Sequence, residues 1–353
     1  MISKETLTAE WIEKVSKVNR NADKILIEKV IRALLLLEGL ANTEIPFIFK
    51  GGTALMLLMD SAKRLSIDID IIISKTPENL DERLNSFIES QGFNRMELQQ
   101  RNTGSNIKKA HYKFYYTPIH KSRIEEDYVL LDILFEANHY TNISAHEIKS
   151  QFVINEGKPA LVNMPSFEDL LGDKLTAFAP ETTGIPYFKN EDSKSMEIIK
   201  QLYDIGNLFD VVNDLETIKT TFNTIAKTEI VYRNLKEATA DDILNDIYQT
   251  SLCISLRGTD GKCNFEELMK GIRAIERFIF SENYHLEKAI PHAAKAAYMA
   301  RLIATNQTTF EKFSNPQQIA EANIEAPHNT KLQKLKKSSP ESFFYWWKAT
   351  QLA

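Results

Sequence analysis

Apolar and polar positions alternate in two different rhythms along this chain. Over residues 8–42, Trp11, Val15, Val18, Ile25, Ile27, Val30, Ile31 and Leu34 recur at near-helical spacing, which predicts a helix across the whole stretch. Residues 45–49 read as a short strand, and 53–59 (Thr-Ala-Leu-Met-Leu-Leu-Met) as a buried helix. Over 65–73 the period is two. Leu65, Ile67, Ile69 and Ile71 share one face of a strand, while Ser66, Asp68 and Asp70 share the other. Residues 77–91 predict a helix stopped by Gly92, and strands follow at 93–99, 110–117 and 128–135.

From Pro165 the rhythm becomes helical. Ser166 with Asp169 three residues on fits a capping box, and Phe167, Leu170, Leu171, Leu175 and Phe178 make one stripe. Residues 180–197, with Pro180, Gly184 and Pro186, predict a loop, and 212–310 predict further helices. The expected fold class is α+β (α/β): an N-terminal mixed sheet with flanking helices over 1–160, then a mostly helical domain over 161–353.

Composition narrows the picture little. At 43% hydrophobic and 26% charged, the chain is an ordinary globular one, and a net charge of -5 argues against wholesale coating of nucleic acid. Glu28, Lys29, Arg32 and Glu38 interrupt the apolar run 25–40, so that run is a core helix and not a membrane span. No signal-peptide pattern precedes it. The expectation is a cytoplasmic protein with no membrane contact, whose two cysteines, Cys253 and Cys263, are reduced thiols.

Chemistry concentrates between residues 49 and 73. Gly51 and Gly52 let backbone approach a ligand closely, and the helix after them offers unpaired N–H groups and a positive dipole end to phosphate. Asp68 and Asp70 then stand side by side on one strand face. Like charges so close repel unless a cation lies between them, and hard oxygens of this kind suit Mg²⁺. Asp132 sits inside the apolar run 128–135, where an uncompensated carboxylate is costly, with Glu136 just beyond as its competitor. Lys174 falls in the middle of an apolar stripe, so it either snorkels to solvent or meets an anion.

The segment Gly51-Gly52-Thr53-Ala54-Leu55, followed by Arg64-x-Ser66-x-Asp68-x-Asp70, resembles the signature of the DNA polymerase β-like nucleotidyltransferases. More narrowly, it is similar to the AbiEii/AbiGii-type toxins of toxin–antitoxin and abortive-infection systems. The likeness is tight over 48–73 and looser over 128–210. It implies a nucleotidyltransferase fold in which Gly51, Gly52 and the N–H of Thr53 hold a nucleoside triphosphate, with Arg64 and Ser66 beside them. It implies Mg²⁺ (or Mn²⁺) on Asp68, Asp70 and Asp132. Lys174 matches a family lysine expected on the triphosphate. Asp204 matches a family aspartate, although Gln201 stands where the family commonly has an acid.

The implied activity is transfer of NMP from an NTP to RNA (a tRNA 3′ end) or protein, by a toxin that a cognate antitoxin restrains. Two alternatives stand: transfer to a small molecule of antibiotic type, or a non-catalytic nucleotide-binding scaffold. A phosphate on Ser66 would add roughly −1.5 to −2 charge beside the metals.

Two basic, aromatic segments allow two readings each. In 94–123, Arg95, Arg101, Lys108, Lys109, Lys113, Lys121 and Arg123 are interleaved with His111, Tyr112, Phe114, Tyr115 and Tyr116. Near the end, Lys331, Lys334, Lys336 and Lys337 precede Phe343, Phe344, Tyr345, Trp346 and Trp347. Cations beside stacking rings suit single-stranded nucleic acid; the alternative is ordinary core packing with a solvated basic face.

Overall fold

The protein is described by a computed structural model covering residues 1–59, 63–99, 108–120 and 125–352. Arg101, Lys121 and Arg123 of the basic segment lie outside the described residues. The chain divides into two compact units: residues 1–166 with 277–283, and residues 167–276 with 284–353.

The first unit begins with two helices, not one. Helix α1 (Ala9–Val18) is capped by the Thr8 hydroxyl, which accepts from Trp11 N at 3.2 Å. Helix α2 (Lys24–Ala41) is capped by Asp23, which accepts from Ile25 N at 2.8 Å. The continuous helix expected over 8–42 breaks because Arg20 and Asn21 take left-handed φ values of 56° and 58°.

Of the charges that interrupt α2, Glu28, Arg32 and Glu38 are buried and partnered, as a core helix requires. Glu28 accepts from Ile119 N at 3.0 Å and pairs with Arg32 at 3.4 Å; Glu38 accepts from Ile2 N at 2.8 Å. Among the described residues, no helix is long and apolar enough to cross a membrane.

A mixed seven-stranded sheet follows. Its strands are β1 (Ile48–Lys50), β2 (Ile69–Ile72), β3 (Arg95–Leu98), β4 (Lys109–Tyr116), β5 (Asp127–Leu134), β6 (Ile143–Glu147) and β7 (Leu161–Pro165), in the order β3-β4-β5-β2-β1-β7-β6. Helix α3 (Gly51–Leu58) leaves β1 directly, and α4 (Leu80–Asn85) lies between β2 and β3. Strands β2 and β5 run parallel, as do β1 and β7; the other neighbours are antiparallel.

Burial alternates strictly along β5. Asp127, Val129, Leu131 and Ile133 are inside, while Tyr128, Leu130, Asp132 and Leu134 are partly open. Phe49, Ile69, Ile71, Tyr112, Phe114 and Tyr116 extend the buried face. The expected strand over 65–73 is a ladder strand only from Ile69. Before it, Leu65 N donates to Phe278 O at 2.7 Å, and Arg64 bridges Ile279. That is why 277–283 belongs to this unit.

The second unit is helical: α5 (Phe167–Ala177), α6 (Ser195–Val211), α7 (Leu215–Tyr232), α8 (Ala240–Ser255), α9 (Phe265–Ile275), α10 (Leu286–Ala304), two short turns α11 (Asn329–Leu332) and α12 (Leu335–Ser338), and α13 (Pro340–Gln351). Residues 180–197, expected as a loop, carry a two-stranded hairpin, β8 (Phe188–Lys189) with β9 (Asp192–Ser193). Asp169 is fully buried and accepts from the Thr221 hydroxyl at 2.5 Å.

Phe343, Phe344, Tyr345 and Trp346 are buried in α13, and Trp346 Nε1 donates to Ser255 Oγ at 3.0 Å. For the terminal aromatics, the packing reading holds. Cys253 and Cys263 are joined as a disulfide across a Cα separation of 6.0 Å, which corrects the expectation of two thiols. The turn after α8 returns the chain to bridging distance.

Candidate functional site

Four polar residues line up across four strands. Register pairs Lys50 with Asp70, Asp70 with Asp132, and Asp132 with His111. Paired residues on neighbouring strands point to the same face. The row Lys50–Asp70–Asp132–His111 therefore crosses the open face of β1, β2, β5 and β4. The two carboxylates stand on adjacent parallel strands, about 4.8 Å apart at the backbone. Asp68 lies just before the first ladder residue of β2, Ile69, and is half-buried.

Nitrogen-bearing side chains flank the acidic pair. Lys50, whose ammonium lies 5.7 Å from the Tyr140 ring centre, is on one side. His111 is on the other, with Nδ1 2.6 Å from Asp132 Oδ1. Asp132 keeps 35% of its side-chain exposure and His111 14%. The carboxylate is thus not sealed in an apolar interior; it sits where the pleat turns outward.

The glycine turn closes onto this row. Gly51 has φ +80°, and a Cβ there would run into the Asp70 carboxylate. At Gly52 a Cβ would lie 2.7 Å from both Arg64 Nη2 and Ser66 Oγ. Guanidinium, hydroxyl and carboxylate thus close in on the backbone at both glycines.

Thr53 is fully buried, and its hydroxyl donates to Asp68 O at 2.6 Å, tying the first turn of α3 to the acidic strand. Arg64 is buried too, and its Nη1 donates to Leu65 O at 3.1 Å. The sequence-selected residues Gly51, Gly52, Thr53, Arg64, Ser66, Asp68, Asp70 and Asp132 are all gathered in the first unit. Glu136 lies beyond the end of β5, 3.6 Å from His139.

Lys174 and Asp204 belong to the second unit, where they meet each other. Lys174 Nζ lies 2.7 Å from Asp204 Oδ2 and donates to Gln201 Oε1 at 3.3 Å. Of the two readings open for Lys174, meeting an anion is the one observed.

Among the described residues, no group of three or more His, Cys, Asp or Glu is arranged as a ready-made metal cage. Mg²⁺ does not require one, because it takes one or two carboxylates and completes its shell with waters and phosphate oxygens. Two adjacent aspartates beside a glycine-lined helix start fit that demand by donor type. Lys50 and His111 were not singled out from the sequence as site residues. Their signal was cross-strand register, which joins positions far apart in the chain.

A family model described as "Nucleotidyl transferase AbiEii toxin, Type IV TA system" matches residues 35–254, more than half of the chain. No curated protein matches. Among solved structures, JHP933 from Helicobacter pylori is 17% identical, with 87% of this chain and 94% of that one covered at a TM-score of 0.41. A second H. pylori protein, provisionally described as a nucleotidyltransferase, is 19% identical over 79% and 94% at 0.42. An antigenic nucleotidyltransferase-like protein from Paracoccidioides brasiliensis is 14% identical over 61% and 92% at 0.34.

Proposed function

Because the chain belongs to the AbiEii nucleotidyltransferase toxin family, we propose that the polar row on the open face of its sheet transfers a nucleoside monophosphate from an NTP to an acceptor hydroxyl. The observation that carries this reading is the register of Asp70 against Asp132 beside a left-handed Gly51.

The N–H groups at the start of α3 cradle the triphosphate, where backbone alone can approach. Arg64, packed against Gly52, supplies positive charge beside it. Asp68, Asp70 and Asp132 would hold divalent cations, Mg²⁺ or Mn²⁺. Bound there, such ions would orient the phosphates and offset charge on the attacking and leaving oxygens. Asp132 takes the proton of the acceptor hydroxyl as its oxygen bonds to the α-phosphorus. The bond to the bridging oxygen then breaks, and pyrophosphate leaves. Lys174 and Asp204 form a cation–anion pair within the second unit.

The open face favours RNA as acceptor over a small molecule. Arg95 lies 3.6 Å over the Tyr115 ring centre and Lys113 4.3 Å over that of Tyr128. Guanidinium and aromatic planes are what unpaired bases stack on. The toxin is restrained by a cognate antitoxin, consistent with the family description.

The test is incubation of the purified protein with α-labelled NTPs, Mg²⁺ and total RNA. Label should enter RNA, and Asp70→Asn should abolish it. Label that instead enters a small molecule, or that survives Asp70→Asn, contradicts the reading.

A further inference from the structure

We infer that His111 is a positioning residue that holds the Asp132 carboxylate in its working orientation. This inference rests on the proposed role of the acidic row. His111 and Asp132 are register partners on β4 and β5, and Nδ1 meets Oδ1 at 2.6 Å. An ionised carboxylate only accepts hydrogen bonds, so Nδ1 must carry the hydrogen. One carboxylate oxygen is thereby spoken for, and the other is left to face a cation or an incoming hydroxyl.

The need for such a brace follows from exposure. Asp132 is about a third open, and on a bare sheet face its side chain would sample several rotamers. Neighbouring Asp70 repels it, which favours turning away from the shared cation site. A donor on the far side of Asp132 opposes that rotation. Hydrogen-bonded partners of metal-binding groups act in this way, and their loss costs 10–100-fold in metal affinity. His111 is itself held by register and by its 14% exposure, so the brace is stiff.

The geometry also specifies which substitutes will serve. In Asn the side-chain nitrogen sits at the same branch as His Nδ1. In Gln it sits one bond further out, in the place of Nε2. The positioning role therefore predicts that Asn rescues and Gln does not, a distinction that simple filling of the sheet face would not produce.

The experiment measures Mn²⁺ affinity of the full-length protein by electron paramagnetic resonance. Thermal unfolding is recorded on the same samples. His111→Asn should stay within about threefold of wild type, whereas His111→Gln and His111→Ala should weaken Mn²⁺ binding by about 10–100-fold, with similar melting for all three.

Equal affinity in all variants, or equal loss in Asn and Ala, overturns the role of His111. Asp132→Asn separates the two levels of the argument. If it removes Mn²⁺ binding while the His111 variants change nothing, the positioning role alone fails. If Asp132→Asn also leaves binding intact, the cation reading of the row fails, and the positioning role fails with it.

Discussion

The ammonium of Lys174 on α5 lies 2.7 Å from the carboxylate of Asp204 on α6, with 7% and 3% of the two side chains exposed. Breaking a buried ion pair by removing one member costs about 3–5 kcal/mol. Lys174→Met and Asp204→Leu should each destabilise by that order, while the double variant should recover most of the loss. A double-mutant cycle in urea measures the coupling. Additive losses would show that the two charges do not depend on each other.

Gly51 makes a sharper case for backbone geometry. Alanine there would have to hold φ +80° with its Cβ against the Asp70 carboxylate. Gly51→Ala should cost about 1–2 kcal/mol from the left-handed backbone alone, and transfer should fall about 100-fold as Asp70 is displaced. Gly52→Ala meets only the tips of the Arg64 and Ser66 side chains, so its loss of stability should be smaller. Melting temperatures and transfer rates of the pair check both statements.

Asp246 predicts a pH dependence. Burial pushes its carboxyl up to about 6, although Thr182, Glu181 N and Thr250 all donate to it. The folded state therefore holds this proton more tightly than the unfolded state. Between the ordinary carboxylate range and pH 6, stability from this group falls as pH rises, by about 3 kcal/mol in total. Asp246→Asn removes the penalty. The variant should match wild type near pH 4 and exceed it at pH 7, as read from denaturation midpoints at the two pH values. A constant difference would contradict the assignment.

The Cys253–Cys263 bridge closes a short loop between α8 and α9. Protein unfolded without reductant should show no free thiol. Cys263→Ser should lose about 2–3 kcal/mol, the usual contribution of a loop this size. Thiol titration and calorimetry test the two claims separately.

Much of the site was legible because its chemistry sits on local patterns. Alternation drew attention to Asp70, which β2 carries on its half-open face, and the paired glycines marked the start of α3; Asp68 precedes the ladder. Asp132 stood out as an acid in an apolar run, which calls for a cation or a place at a cleft edge, and the pleat carries it to the partly open side of β5.

Lys50 and His111 could not be read in the same way, because register between strands is a long-range property that no local period encodes. Strands β6 and β7 were missed as well. Ile-Ser-Ala-His-Glu and Leu-Val-Asn-Met-Pro are short and weakly alternating, and hydrogen-bonded pairing defines them. The break after α1 falls at left-handed Arg20 and Asn21, inside the stretch 19–24 that carries no large apolar side chain.

The stretch 277–283 has a consequence for how this protein comes into being. Phe278 O receives Leu65 N, Ile279 bridges Arg64, and the Ser281 hydroxyl donates to Lys63 O at 2.8 Å. The approach to the acidic strand is thus stitched by residues made more than two hundred positions later. A ribosome that has released the whole sheet has not yet released its last fastening. The entry to the acidic strand therefore gains its final support only once residues 277–283 have been made.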